Sequence, residues 1–131
     1  MKGYVDDIEK ATEENRDFRR VLYTGHNLQL VVMSLDPGEE IGMEVHDDRD
    51  QFFRIERGTG EIWIDGVCHA VSADMGVIVP QGAEHNVVAT GSEPLKLYTI
   101  YGPPEHIDGI VHRTCEDAQS AHEHFDGQTT E

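Results

Sequence analysis

An all-β sandwich or jelly-roll barrel is the fold class this sequence predicts, and three observations carry the prediction. From Val21 onward Gly and Pro recur at intervals of about ten residues, the spacing of turns between short strands. Within "QFFRI", Gln51, Phe53 and Ile55 share one face while Phe52 and Arg54 take the other, the alternation of a half-buried strand. Asp65-Gly66 sits between two β-rich runs, and a type I′ hairpin needs positive φ at both of its central residues.

Taken in order, residues 6 to 20, "DDIEKATEENRDFRR", space Ile8, Ala11, Asn15 and Phe18 along one face, with acids early and arginines late. This predicts a short amphipathic helix whose charges suit its dipole. Strands are then expected at Leu28 to Leu35, Ile41 to His46, Gln51 to Glu56, Glu61 to Ile64, Val67 to Val71, Gly76 to Val79, His85 to Ala89 and Leu95 to Tyr101. "GTG" at 58 to 60 reads as a second hairpin turn of lower specificity. Eight short strands joined in this way close into a sandwich or barrel. Thr114 followed three residues later by Asp117 marks a helix start, after which the polar tail is expected to fray. The organisation is thus a helical extension at 1–20, a β domain at 21–112 and a polar tail at 113–131.

Charge narrows the partners. Asp and Glu number 26 against 10 Lys and Arg, for a net charge of -16, which disfavours nucleic acid and anionic membranes. Such a surface also suits concentrated salt, where its self-repulsion is screened. Cys68 and Cys115 form no CxxC pair or disulfide framework, and Cys68 lacks an activating pattern. With no apolar run long enough for a membrane span, the expected location is cytoplasmic.

Chemistry concentrates in the histidines. On a strand, Glu44 and His46 project together while Met43 and Val45 project oppositely. Gln51 is the polar member of an inner row, and His85 opens another row with Val87 and Ala89. A carboxylate, two imidazoles and an amide inside a barrel are costly unless they satisfy one another or an ion. Two His and a carboxylate suit Fe(II), Zn, Mn or Ni, with the Gln51 amide oxygen as a fourth donor. An exposed acidic loop and a hydrogen-bonded core histidine would account for the same letters.

Across residues 30 to 102 the chain resembles the cupins. In "PGEEIGMEVHDDRDQFFRIERGTGEIWIDG", Gly38, Glu44, His46, Gln51 and Gly58 keep the spacing of the first cupin motif; Pro80, Gly82 and His85 in "DMGVIVPQGAEHNV" keep that of the second. Glu44 replaces a motif histidine, Gln51 the motif glutamate, Asp74 a glycine and Ala89 an asparagine. Both replacements at ligand positions can still ligate. The set is similar to that of cupin phosphomannose isomerases with Gln and Glu exchanged, and the chain resembles small single-domain cupins of the mannose-6-phosphate-isomerase-like kind. The resemblance implies a double-stranded β-helix, a divalent metal on Glu44, His46, Gln51 and His85, and pairing into a homodimer through the N-terminal helix and outer strand faces.

A pocket for a small ligand would draw on Met33, Phe53 and Tyr98. His106 and His112, in "GPPEHIDGIVHR", are either a polar loop over the barrel or a flap at its mouth carrying an acid or base. His69 is expected to pack within its strand and His26 to sit in a turn. The function expected is a metal-binding cupin, either a metalloenzyme acting on a small oxygen-rich molecule by sugar-isomerase-like or dioxygenase chemistry, or a non-catalytic binding module.

Overall fold

A computed structural model describes residues 1–131. Helix α1 (Ile8–Glu14) is followed by strands β1 (Arg19–Thr24), β2 (Gln29–Leu35), β3 (Glu44–Val45), β4 (Asp50–Arg57) and β5 (Thr59–Ile64). Strands β6 (Val67–Ser72), β7 (Gly76–Val79), β8 (Glu84–Ala89), β9 (Leu95–Gly102) and β10 (Val111–His112) lead to helix α2 (Cys115–Ser120). One sheet has the order β10-β1-β2-β9-β4-β7 and the other β3-β8-β5-β6, with every pairing antiparallel. The pairs β5–β6, β4–β7, β3–β8 and β2–β9 nest inside one another, the winding of a jelly-roll double-stranded β-helix. No helix is long and apolar enough to cross a membrane.

Alternation builds the interior. Phe53, Ile55, Leu95, Leu97, Val31, Met33, Ile62 and Val87 meet between the sheets in a single apolar core. At Asp65-Gly66 both φ angles are positive, 46° and 81°, and the flanking Ile64 and Val67 pair directly. The Asp65 carboxylate also accepts the Glu84 N–H at 2.9 Å, which ties this hairpin to β8.

Four expectations need correction. The predicted helix over 6 to 20 stops at Glu14, because the Asn15 side chain donates to the Asp17 carbonyl (2.9 Å) and accepts its N–H (3.1 Å). The chain then enters β1, where Arg19 and Arg20 pair with β2 and β10, so the arginines lie beyond the helix end. Strand Ile41 to His46 shrinks to Glu44–Val45, since Gly42 takes φ 110° and gives its N–H to the Asn86 side chain. Gly58 is no hairpin turn: β4 and β5 belong to different sheets, and a Cβ there would meet the Pro94 carbonyl oxygen at 2.6 Å. The fourth is His69, which is exposed because β6 is an edge strand.

The tail also departs from expectation. Thr114 caps α2 by accepting the Asp117 N–H at 3.0 Å, but residues beyond the helix are fastened down rather than frayed. The Phe125 N–H donates to the Glu105 carbonyl, the Thr130 N–H to that of Thr24, and the Glu131 carboxylate accepts from Lys2, Gly3 and Tyr23. The N-terminal helix α1 buries Thr12 and packs on β9, β4 and β2 of its own chain.

Candidate metal centre

Glu44 and Val45 alternate as predicted, so Glu44 turns inward while Met43 and Val45 face solvent. Glu44 pairs in register with His85 on β8, which sets the two ligand types side by side. Donor atoms of Glu44, His46 and His85 all lie within 4.8 Å of one another, and the His46 and His85 rings are 5.2 Å apart at their centroids. The backbone at His46 is fixed by the Gly82 N–H, which donates to its carbonyl at 2.8 Å.

Each donor is aimed by a partner behind it. His85 Nδ1 lies 3.1 Å from the Ala83 carbonyl oxygen, which can only accept; Nδ1 therefore carries the proton and Nε2 is left as a lone pair. The same reasoning orients Gln51. Thr99 spends its hydroxyl proton on the Phe52 carbonyl (2.8 Å) and so can only accept from Gln51, whose Nε2 donates to it at 3.0 Å. That leaves Gln51 Oε1 free. Both Gln51 Oε1 and His85 Nε2 are buried with no hydrogen-bond partner, in residues only 3% exposed. Leaving a buried polar atom unpaired costs about 1–3 kcal/mol, and these two atoms, an amide oxygen and an imidazole nitrogen, are chemically able to ligate a divalent ion.

The other two donors are held by contacts with carboxylates. Glu44 Oε2 sits 3.1 Å from His46 Nε2. Burial pushes the Glu44 carboxyl up, but the His46 hydrogen bond and the charges of His46, Arg19 and His85 outweigh it and hold it below the usual range. Behind His46, the Glu105 carboxylate lies 3.5 Å from Nδ1 and is itself paired with Arg49 at 2.7 Å. Aspartates 47, 48 and 50 stay in solvent as expected of a tip, although Asp50 accepts the Gln81 N–H at 2.8 Å.

The pocket residues divide. Phe53 stands edge-on to His85, with centroids 6.3 Å apart. Met33 is fully buried but two rows further along β2, opposite Arg19 and Leu97 rather than Tyr101. Tyr98 does not line the interior: it packs on Phe52 across the outer face, because on β9 the inward residues are Leu95, Leu97, Thr99 and Tyr101. The wall residue is Tyr101, edge-on to His46 at 5.9 Å, with its hydroxyl pushed up by burial. Counting parity from Leu95 would have found it.

His106 is buried against Tyr101, Nε2 to hydroxyl 3.3 Å, and its Nδ1 meets the Glu123 carboxylate at 2.5 Å. The 103–108 loop that carries it is pinned by Gln29, whose amide oxygen accepts the N–H groups of Glu105 and His106 and whose nitrogen donates to the His106 carbonyl. Gln29 is the one amide in an otherwise apolar strand end, a signal the sequence offered. His112 is buried on β10 beside Arg19. His122 and His124 remain exposed in the tail.

Comparison with known proteins agrees with the fold. The Cupin_2 family model, a cupin domain, matches residues 31–101. YrkC of Bacillus subtilis (strain 168) is 44% identical over 126 residues, covering 92% of this chain and 68% of the relative. The crystal structure of BH2720 from Bacillus halodurans superposes with a TM-score of 0.90 at 43% identity, covering 92% of this chain and 96% of that one. The mannose-1-phosphate guanylyltransferase of Escherichia coli (strain K12) is 26% identical over 116 residues, and the match covers 24% of its length.

Proposed function

Since the chain belongs to the cupin family, we propose that it is a divalent-metal protein acting as a metalloenzyme on a small, oxygen-rich molecule. One observation carries this reading: the two buried, unpartnered donor atoms, Gln51 Oε1 and His85 Nε2, in the same interior as Glu44 and His46. Glu44, His46, Gln51 and His85 would hold the ion, and two imidazoles with a carboxylate and an amide suit Zn, Fe, Mn or Ni. Such an ion supplies Lewis acidity toward a carbonyl or enediol oxygen, as in a sugar isomerase, or as Fe(II) supports dioxygenase chemistry.

The chain's own side chains do the positioning. Thr99, Ala83 and Glu105 hold the donors, while Phe53 and Tyr101 wall the interior and exclude water. His106 stands behind Tyr101, where Glu123 fixes its ring, a place from which it can relay a proton to the phenol. A second reading, a non-catalytic metal-binding module, draws on the absence of Glu44, His46 and His85 from the lining of every surface cavity.

Elemental analysis of untagged protein tests both. A divalent ion retained or rebound in equal amount to the chain supports the metal site, and a chain that takes up none defeats it. Exchangeable water on the bound ion then favours the enzyme, and a closed coordination sphere favours the module.

A further inference from the structure

The polar tail grips the loop that stands behind the metal donors. The Glu123 carboxylate accepts from His106 Nδ1 at 2.5 Å and from the Ile107 N–H at 2.8 Å. His124 Nδ1 lies 3.8 Å from the Glu105 carboxylate, and the Phe125 N–H donates to the Glu105 carbonyl. The His106 and Glu123 side chains are only 9% and 11% exposed, so their contact is shut away from solvent. Gln29 already fastens the backbone of this loop; what the tail adds is the orientation of the His106 ring.

That ring leads into the barrel. A carboxylate can only accept, so His106 Nδ1 carries the proton and the neutral ring offers a lone pair at Nε2. The Tyr101 hydroxyl, 3.3 Å away, donates to it and is left with an oxygen that can only accept. Tyr101 stands directly opposite Gln51 across β9 and β4. Both side chains are buried on the inner face, where opposite Cβ atoms are about 4.5–5.5 Å apart. Burial pushes the phenol up, and a hydrogen bond from the Gln51 amide works against that rise. Thr99 and Tyr101 thus both present acceptors to the amide nitrogen, and Gln51 Oε1 is the atom left for an ion.

We propose that Glu123, acting through His106 and Tyr101, is a positioning residue that holds the Gln51 amide with its oxygen toward the ion, so that the docked tail completes the metal site. The inference rests on the metal reading and adds to it a line of hydrogen bonds from the tail to a donor. Each link has one direction: Gln51 donates to Tyr101, Tyr101 to His106 and His106 to Glu123. A break at any link leaves the group before it without its acceptor and free to turn.

Zinc affinity of the full chain, measured by competition with a chromophoric chelator, tests the line. Glu123→Ala is expected to weaken Zn(II) binding about tenfold, the lower end of the loss for a group that orients a ligand. Glu123→Gln, which keeps an acceptor for His106 Nδ1, should restore most of it. Tyr101→Phe cuts the line: it should weaken binding by itself, and Glu123→Ala added to it should cost less than about twofold more, since two changes on one line do not add. His106→Phe breaks the line at its middle and stands in for either variant should it fail to fold. Unchanged affinity in Glu123→Ala overturns the proposal. So does an equal loss with and without the Tyr101 hydroxyl, because a general loosening of the fold would act in both backgrounds. Should the unsubstituted chain bind no zinc, the metal reading fails separately; the line is then judged on the metal-free chain. There Glu123→Ala must shift the Gln51 side-chain amide signals in the NMR spectrum only when Tyr101 keeps its hydroxyl, or the line is lost too.

Discussion

The four donors fall into two pairs that are built differently. Gln51 and His85 stand on long central strands, almost wholly buried, and neutral hydrogen bonds to Thr99 and Ala83 hold them. Glu44 and His46 stand on and beside a two-residue strand, more exposed, and carboxylates hold them: Glu44 faces His46, and Glu105, ion-paired with Arg49, lies behind the His46 ring. The first pair is preorganised by the fold whatever the solvent. The second depends on ionisation and is weakened by salt in proportion to its exposure. A rigid half paired with an electrostatic half lets an ion enter from the exposed side onto donors already in place.

The largest test of this division removes a donor from each half. His46→Ala and His85→Ala are both expected to abolish stoichiometric metal binding, measured by equilibrium dialysis; undiminished binding in both would contradict the assignment. His85→Ala should also relieve an unpaired buried atom, so its metal-free form is expected to lose less stability than an ordinary core truncation.

Removing the groups behind the donors is gentler. Thr99→Val and Glu105→Gln should each weaken metal affinity by roughly 10–100-fold, the usual effect of losing a residue that orients a ligand. The two differ in salt dependence. Raising ionic strength should narrow the gap between Glu105→Gln and the unsubstituted chain and leave that for Thr99→Val unchanged; identical salt responses would break the distinction.

Least in size is the effect of acid on the tail. Burial raises the Glu123 carboxyl, but hydrogen bonds from His106 and the Ile107 N–H and the nearby histidine charges outweigh it and leave the pKa lowered. A carboxyl lowered on folding contributes stability that is present above its unfolded pKa and lost as pH falls through the folded one. The strap over the 103–108 loop should therefore loosen in acid, below the ordinary Glu range. Glu123→Gln should cost about 1 kcal/mol near neutrality and flatten that acid limb in thermal melts; an unchanged limb would show that Glu123 is not the responsible group.

Much of the centre was legible in the letters. Period-two alternation put Glu44 and His46 on one shared face and Gln51 and His85 in apolar rows, because a strand's side chains have only two directions to take; the resemblance to the cupin motifs chose that shared face as the interior. The same rule misplaced nothing at Phe53 but was not applied to β9, where Tyr101 rather than Tyr98 shares parity with the core. Helix length failed at Asn15, whose side chain captures Asp17 in a local turn that competes with the helix. Strand Ile41 to His46 failed at Gly42, where a positive φ hands a ladder N–H to a side chain 44 residues away.

What the amino-acid order determined by itself, then, is local: which residues face inward, where Asp65-Gly66 turns the chain, and which side chains are able to ligate. Those follow from backbone geometry within a few residues. Tertiary structure decided what stands behind each donor. Thr99 reaches Gln51 across 48 residues, Arg19 reaches His112 across 93 and Glu105 meets His46 through a loop pinned by Gln29, since strand order and not sequence distance determines neighbours in a nested barrel. For the same reason the hold of Glu123 on His106, within a tail read from sequence as fraying, became visible only once the barrel had brought the two together.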